Sequence, residues 1–321
     1  MAGINNIVDF YNYLMETKSD PRTSDWFLLQ SPGPLVTILV TYLYFCIWAG
    51  PRFMKDRKPY ELKTAIILYN AVQVAMSLFL VYEGIRGGWF NGYNWSCQPV
   101  DYSNDPKALR MASAVWWYFI CKISELLDTV FFILRKKTNQ VTFLHIYHHS
   151  MMPVCSWIGA KFLPGGHGTL LGLINSFIHI IMYTYYMVAS MGPQYQKYLW
   201  WKKYLTMMQM IQFCIVFLHS AQVLFRQCDY PKTIAFLLAF QAVFFFYLFA
   251  QFFVKAYMSK EKVKTTANGV HHKEVQVNGV ETNGIELNGL LKTKLKTNST
   301  ILNGKTNGTV NYIANGKIKD N

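Results

Sequence analysis

Apolar residues come in seven blocks of about membrane-spanning length, separated by polar, Gly/Pro-rich or basic stretches. The blocks cover about 35–50, 65–83, 115–134, 142–159, 169–188, 205–225 and 233–254. Gly50-Pro51 is read as the stop of the first block and Gly192-Pro193 as the stop of the fifth. The pattern predicts an all-α, polytopic membrane protein with seven transmembrane helices. Residues 1–34 form a polar and aromatic N-terminal segment, 35–258 the seven-helix membrane domain, and 259–321 a polar tail. Met1 to Pro34 is mixed in charge, so no cleavable signal peptide is expected. In the tail, Asn-Gly recurs seven times, and the low apolar content predicts disorder.

Composition agrees with the pattern: 52% of residues are hydrophobic and only 15% charged. The net charge of +14 does not point to nucleic acid, because the basic residues gather at the ends of apolar blocks. With the blocks alternating in direction, one side collects fifteen Lys and Arg (in Arg52–Lys63, Arg135–Lys137, Lys197–Lys203 and Lys255–Lys264) and the other eight. The positive-inside rule makes the richer side cytosolic, so the N-terminus is luminal and the C-terminus cytosolic. Lys319 and Lys317, third and fifth from the end, resemble the cytosolic di-lysine retrieval signal of endoplasmic-reticulum membrane proteins. Of the six cysteines, Cys97 and Cys228 fall in luminal loops, where an oxidising compartment permits a disulfide between them. Asn94-Trp95-Ser96 is a glycosylation sequon on the same side.

Ionisable residues inside membrane-spanning blocks are costly unless they face a protein cavity or one another. His145, His148 and His149 stand at i, i+3 and i+4, so on a helix they share one face. The third block carries Lys122, Glu125 and Asp128. These form either a charge network that locks helices together or a polar wall beside the histidines. In the second case Glu125 or Asp128 accepts from an imidazole N–H and fixes its tautomer, while Lys122 holds an anionic part of a substrate. The fifth block carries Asn175 and His179 at i, i+4. A rise of 1.5 Å per residue puts His148 and His149 about 10 Å, and His179 about 13 Å, from the cytosolic surface, so the groups are expected to converge. Thr206, Gln209 and Gln212 near the start of the sixth block line the same cavity or act as helix–helix glue.

A His-x-x-His-His sequence also occurs in membrane di-iron desaturases and hydroxylases, where two irons need many ligands. This chain has eight histidines, of which His145, His148, His149 and His179 lie at the right depth, and there is no second box. No metal is therefore expected. A non-enzymatic lipid carrier using the same cavity is the remaining alternative to an enzyme.

Four segments, in order, carry a resemblance. They are Lys122-Ile-Ser-Glu125-Leu-Leu-Asp128 running on to Arg135-Lys-Lys, His145-Ile-Tyr-His148-His149, Asn175-Ser-Phe-Ile-His179 running on to Tyr185, and Thr206-Met-Met-Gln209-Met-Ile-Gln212. Together they are similar to the signatures of the very-long-chain fatty acid elongases. The resemblance implies a seven-helix enzyme of the endoplasmic reticulum enclosing a substrate tunnel. It implies condensation of a long-chain acyl-CoA with malonyl-CoA to a 3-oxoacyl-CoA two carbons longer, releasing CoA and carbon dioxide. No cofactor is implied. The surroundings would be membrane lipids, and the partners the reductases and dehydratase of the elongation cycle. For mechanism it suggests transfer through an acyl-imidazole, with His148 as nucleophile and His179 as its closest partner. His145 and His149 would serve as base and positioning groups, with Asn175 stabilising oxyanion charge. Lys122, Arg135, Lys137, Gln140, Tyr185, Lys202, Thr206 and Gln209 are expected to contact CoA or its pantetheine arm at the cytosolic mouth.

Overall fold

The computed structural model describes the backbone of Ala2–Met258, with side chains from Asn6, and the backbone of several short strands beyond. The chain divides into two units, Met1–Phe253 and Val254–Asn321. The first is all-helical. Helix α1 (Ala2–Asn12) runs into a π-helical turn at Tyr13–Lys18. Helix α2 (Gly33–Tyr44) passes through a π-helical turn, Phe45–Ala49, into α3 (Gly50–Met54). Gly50-Pro51 therefore does not stop the first span. Pro51 lacks the N–H an inner helical turn would need, but here it stands in the first turn of α3, just past the wider turn that carries the helix across.

Helix α4 (Lys63–Gly84) matches its block closely. Helix α5 (Pro106–Ser124) starts nine residues before the expected 115, because Asp105 caps it by accepting from the Lys107 N–H and Pro106 suits the first turn. The polar Lys107 and Arg110 had masked that start. The expected third span is also broken at Glu125–Leu126, and α6 (Leu127–Leu134) resumes it. Helix α7 (Phe143–Phe162) begins after Thr142, whose side chain accepts from the His145 N–H at 3.3 Å. Helices α8 (Thr169–Met191), α9 (Lys202–Leu224) and α10 (Lys232–Phe253) complete the unit. Gly192, at a φ of 135° that favours glycine, ends α8.

Five helical stretches are long and apolar enough to cross a membrane: Gly33–Met54, Lys63–Trp89, Thr169–Met191, Lys202–Leu224 and Lys232–Met258. The remaining two expected spans, α5–α6 and α7, hold Lys122, Glu125, Asp128 and the histidine box, whose polarity lowers their mean hydropathy. The chain is a multi-pass membrane protein, and seven crossings are compatible with its helices. Large apolar side chains such as Val40, Leu68, Val72, Leu218 and Phe240 point outward, while Asn70, Gln73 and Ser77 on α4 point inward. Gln73 Nε2 donates to Ser124 Oγ at 2.8 Å, one of the polar contacts joining α4 to α5. Helix α4 lies along α8, α9 along α10, and α5 against α7.

At the end where α7 stops, residues 20–30 fold over the last turn. The Asp20 N–H donates to Lys161 O at 2.9 Å, Thr23 Oγ1 to Ala160 O at 2.9 Å, and Trp157 Nε1 to Leu28 O at 2.8 Å. The first two satisfy carbonyls that a helix C-terminus leaves open, and in the third the helix donates back to the covering segment. They surround a core of Leu29, Leu35, Phe119, Trp157 and Ala160. Beside it, Cys97 and Cys228 form the expected disulfide, with Cα atoms 5.7 Å apart. Gly166 sits nearby at a φ of 68°, and a Cβ there would come within 2.9 Å of the backbone of Gln98 and Pro99, so only glycine fits.

In the second unit, after a π-helical turn at Val254–Met258, the described backbone holds strands β1 (Lys273–Val277), β2 (Val280–Leu287), β3 (Leu290–Leu295), β4 (Val310–Ile313) and β5 (Lys317–Ile318), antiparallel in chain order. The disorder expected from the sequence over 259–321 concerns residues that lie mostly outside the described ones. The Lys319 side of the di-lysine pattern lies outside the described residues, and of Lys317 only the backbone is described.

Candidate active site

The three box histidines do not act as one cluster. The His145 and His149 rings lie 4.2 Å apart, one turn apart on α7, and face α6. His145 Nε2 is 2.9 Å from Thr129 Oγ1, which in turn is 2.7 Å from Tyr42 OH, so the imidazole is held by a chain of hydroxyls reaching α2. Phe132 packs against the same ring. His148 turns the other way. Its ring meets His149 edge-on at 5.5 Å and Phe245 of α10 edge-on at 5.0 Å. Its Nδ1 is out of solvent contact and has no hydrogen-bond partner among the described residues.

The ionisable groups of the third span form a second network. Lys122 Nζ donates to Glu125 Oε1 at 2.8 Å and to Asn175 Oδ1 at 2.8 Å. Tyr118 OH donates to the same Asn175 oxygen at 3.0 Å. With Oδ1 so engaged, Asn175 Nδ2 faces His179 Nε2 at 3.2 Å. The His179 tautomer follows: Nε2 accepts, and Nδ1–H donates to Glu125 Oε1 at 3.1 Å. Both sequence readings of Lys122, Glu125 and Asp128 thus have a share. Glu125 does orient an imidazole, but that of His179 and not one of the box. Asp128 accepts from Tyr183 OH at 2.9 Å, a tyrosine in place of the expected imidazole. Lys122 is nearly solvent-free and committed to Glu125 and Asn175, well away from an open mouth.

A cavity of about 170 Å³ brings His148 to the second network at Asn175 and Tyr118. His148, Asn175, Gln212 and Gln241 line it together with Tyr118, Met152 and Phe245, and its far end reaches Met111, Leu163, Gly165, Gly168 and Tyr230. Apart from Ser156, Thr169 and Ser176 the rest of the wall is apolar, so the cavity suits a flexible hydrocarbon chain with its reactive carbon beside His148. The expected convergence of spans four and five is present: His148 and Asn175, the latter bonded to His179, share one cavity.

The residues expected at the mouth are spread out. Lys137, Gln140 and Lys202 are exposed, and Arg135 is half-buried. Tyr185 is buried against Trp201, with ring centroids 5.0 Å apart, and Thr206 is buried one turn into α9, its hydroxyl donating to Lys202 O at 3.4 Å. Gln209 Nε2 lies 3.5 Å from Met182 Sδ. Thr129, Tyr118 and Gln241 were not singled out in the sequence. Thr129 directly follows Asp128 in the first motif, which offered a hint, whereas a single Gln in an apolar span reads as helix glue.

Residues 27–265 match the family described as ELO, the GNS1/SUR4 family. The chain belongs to this family. Among its relatives, very long chain fatty acid elongase 7 of Drosophila melanogaster is 51% identical over 265 residues, which cover 81% of this chain and 80% of the relative. Very long chain fatty acid elongase 4 of Mus musculus is 44% identical over 281 residues, covering 85% and 89%. Very long chain fatty acid elongase 1 of Homo sapiens is 45% identical over 259 residues, covering 80% and 92%. The four motifs that carried the resemblance, from Lys122 to Gln212, all lie inside the ELO match, and the tail beyond 265 lies outside it.

Proposed function

We propose that this ELO protein is a fatty acid elongase, a 3-oxoacyl-CoA synthase that condenses a long-chain or very-long-chain acyl-CoA with malonyl-CoA. It works in the endoplasmic-reticulum membrane with its N-terminus luminal and its C-terminus cytosolic. Its product goes to the reductases and dehydratase of the same cycle. The observation that carries the chemistry is His148, an imidazole whose Nδ1 has no partner among the described residues, at the wall of a mostly apolar cavity.

In the first step an imidazole nitrogen of His148 attacks the thioester carbonyl carbon. The C–S bond breaks, CoA leaves as the thiol with the proton given up by the imidazole, and the acyl group remains on nitrogen. In the second step malonyl-CoA loses carbon dioxide. The carbanion so formed attacks the acyl carbon, a C–C bond replaces the C–N bond, and the His148 imidazolate takes a proton from water, the one proton the overall reaction consumes. His145 and His149 position the nucleophilic turn through Thr129. His179, held by Glu125 at Nδ1 and by Asn175 at Nε2, fixes the Asn175 side of the cavity across from the nucleophile. Lys137 and Lys202, exposed at the starts of the segments leading into α7 and α9, attract the CoA phosphates.

Purified full-length protein given long-chain acyl-CoA and labelled malonyl-CoA should form labelled 3-oxoacyl-CoA with no other protein added. Binding of acyl-CoA with no labelled product would overturn this reading in favour of a lipid carrier.

A further inference from the structure

Three polar atoms of cavity-lining residues lack a hydrogen-bond partner among the described residues: His148 Nδ1, Gln212 Oε1 and Gln241 Nε2. A buried donor or acceptor left without a partner is unfavourable, so three on residues lining one cavity point to a polar group that binds there. Their chemistries differ. Gln212 Oε1 can only accept. His148 Nδ1 belongs to the nucleophile. Gln241 Nε2 can only donate. Its direction is set, because Gln241 Oε1 accepts from Tyr147 OH at 3.3 Å and the amide nitrogen is thereby turned the other way. Tyr147 is the residue before His148, and Phe245, one turn beyond Gln241 on α10, touches the His148 ring. The uncommitted donor and the nucleophile are therefore held by neighbouring turns of the same two helices.

Asn175, expected from the sequence to stabilise oxyanion charge, is engaged at both ends by Tyr118, Lys122 and His179. We infer that Gln241 Nε2 donates to the thioester carbonyl oxygen of the acyl substrate and holds the negative charge that develops there when His148 attacks. This rests on the acyl-transfer reading above. The charge forms only in the transition state, so the donor acts on kcat more than on substrate binding.

The test compares wild type, Gln241→Met and Tyr147→Phe as purified full-length proteins in detergent. Gln241→Met keeps length and volume but removes the donor. Its kcat for condensation should fall about 10²- to 10³-fold, with KM for acyl-CoA within about twofold. CoA release from acyl-CoA alone should slow to the same degree. Tyr147→Phe removes the anchor but keeps the donor and should lose less than about tenfold. A Gln241→Met enzyme within tenfold of wild type overturns the inference. So does a Tyr147→Phe enzyme as impaired as Gln241→Met, which would make the pair a clamp between α7 and α10. If Gln241→Met lowers the unfolding temperature, Gln241→Leu replaces it, and the same two outcomes decide. A wild-type enzyme that makes no 3-oxoacyl-CoA at all fails the functional reading itself, and is told apart because its defect precedes any substitution.

Discussion

Lys122 Nζ and Glu125 Oε1 lie 2.8 Å apart, three residues apart in sequence, with side chains 1% and 4% exposed. The pair sits where α5 breaks before α6, and it carries Asn175 and His179 with it. Removing one member strands the other charge without a counter-ion. Lys122→Met or Glu125→Gln should each destabilise by about 3–5 kcal/mol, and the double substitution should recover a large part of that loss. Unfolding of the four proteins in detergent gives the cycle. A double variant as unstable as the sum of the singles would mean that the two charges do not depend on each other.

A covalent step on His148 makes the kinetics ping-pong. Incubation with acyl-CoA alone should release CoA and add one acyl mass to the peptide containing His148. His148→Ala should lose both signals, while His149→Ala, whose ring only braces His148 edge-on, should keep part of the adduct. CoA appearing only after malonyl-CoA is added, with no adduct trapped, would favour direct condensation in a ternary complex.

The Cys97–Cys228 bridge closes a stretch of 131 residues. Its loss through Cys228→Ser should lower stability by about 2–5 kcal/mol. A non-reducing peptide map of wild type should show the two cysteines in one linked species. Free alkylation of both, without reductant, would remove the bridge from the native protein.

Exposed Lys137 and Lys202 should act through long-range attraction of phosphate, since neither lines the cavity. Substituting either with Gln should raise KM for acyl-CoA about two- to fivefold at low salt, with kcat nearly unchanged. The difference from wild type should shrink near 1 M salt, where screening acts within about 3 Å. A salt-independent KM, or no change for either substitution, would move the mouth to another face.

Much of the architecture was readable because a helix buried in lipid must be apolar over its whole length. Blocks such as 65–83 and 233–254 accordingly became α4 and α10 within a few residues. Where a polar residue had a local structural reason, the pattern misled. Lys107 and Arg110 hid the start of α5, and Pro51 looked like a stop although a π-helical turn carries the helix to it. At the site, the residue types were visible but their pairing was not. Spacing on α7 put three imidazoles on one face. It did not reveal that Thr129 holds His145 on one side while Phe245 receives His148 on the other. Lys122 is expected at substrate from its charge, its place in the third span and the first motif, and the approach of Asn175 on α8 adds that its hydrogens are also used inside the protein. Gln241 carried no motif, and its interest comes entirely from an empty hydrogen-bonding direction.

The bridge between Cys97 and Cys228 also imposes an order on biosynthesis. The first thiol is made before α5 to α9 exist, and its partner follows 131 residues later. During that interval Cys97 must wait as a free thiol while the four expected spans from α5–α6 to α9 are made. A wrong partner chosen then would hold the loop after α4 apart from the segment that follows α9. Closing the bond certifies that the intervening helices have brought these two loops together. In a cell, the oxidation state of this pair is thus a readout of completed assembly.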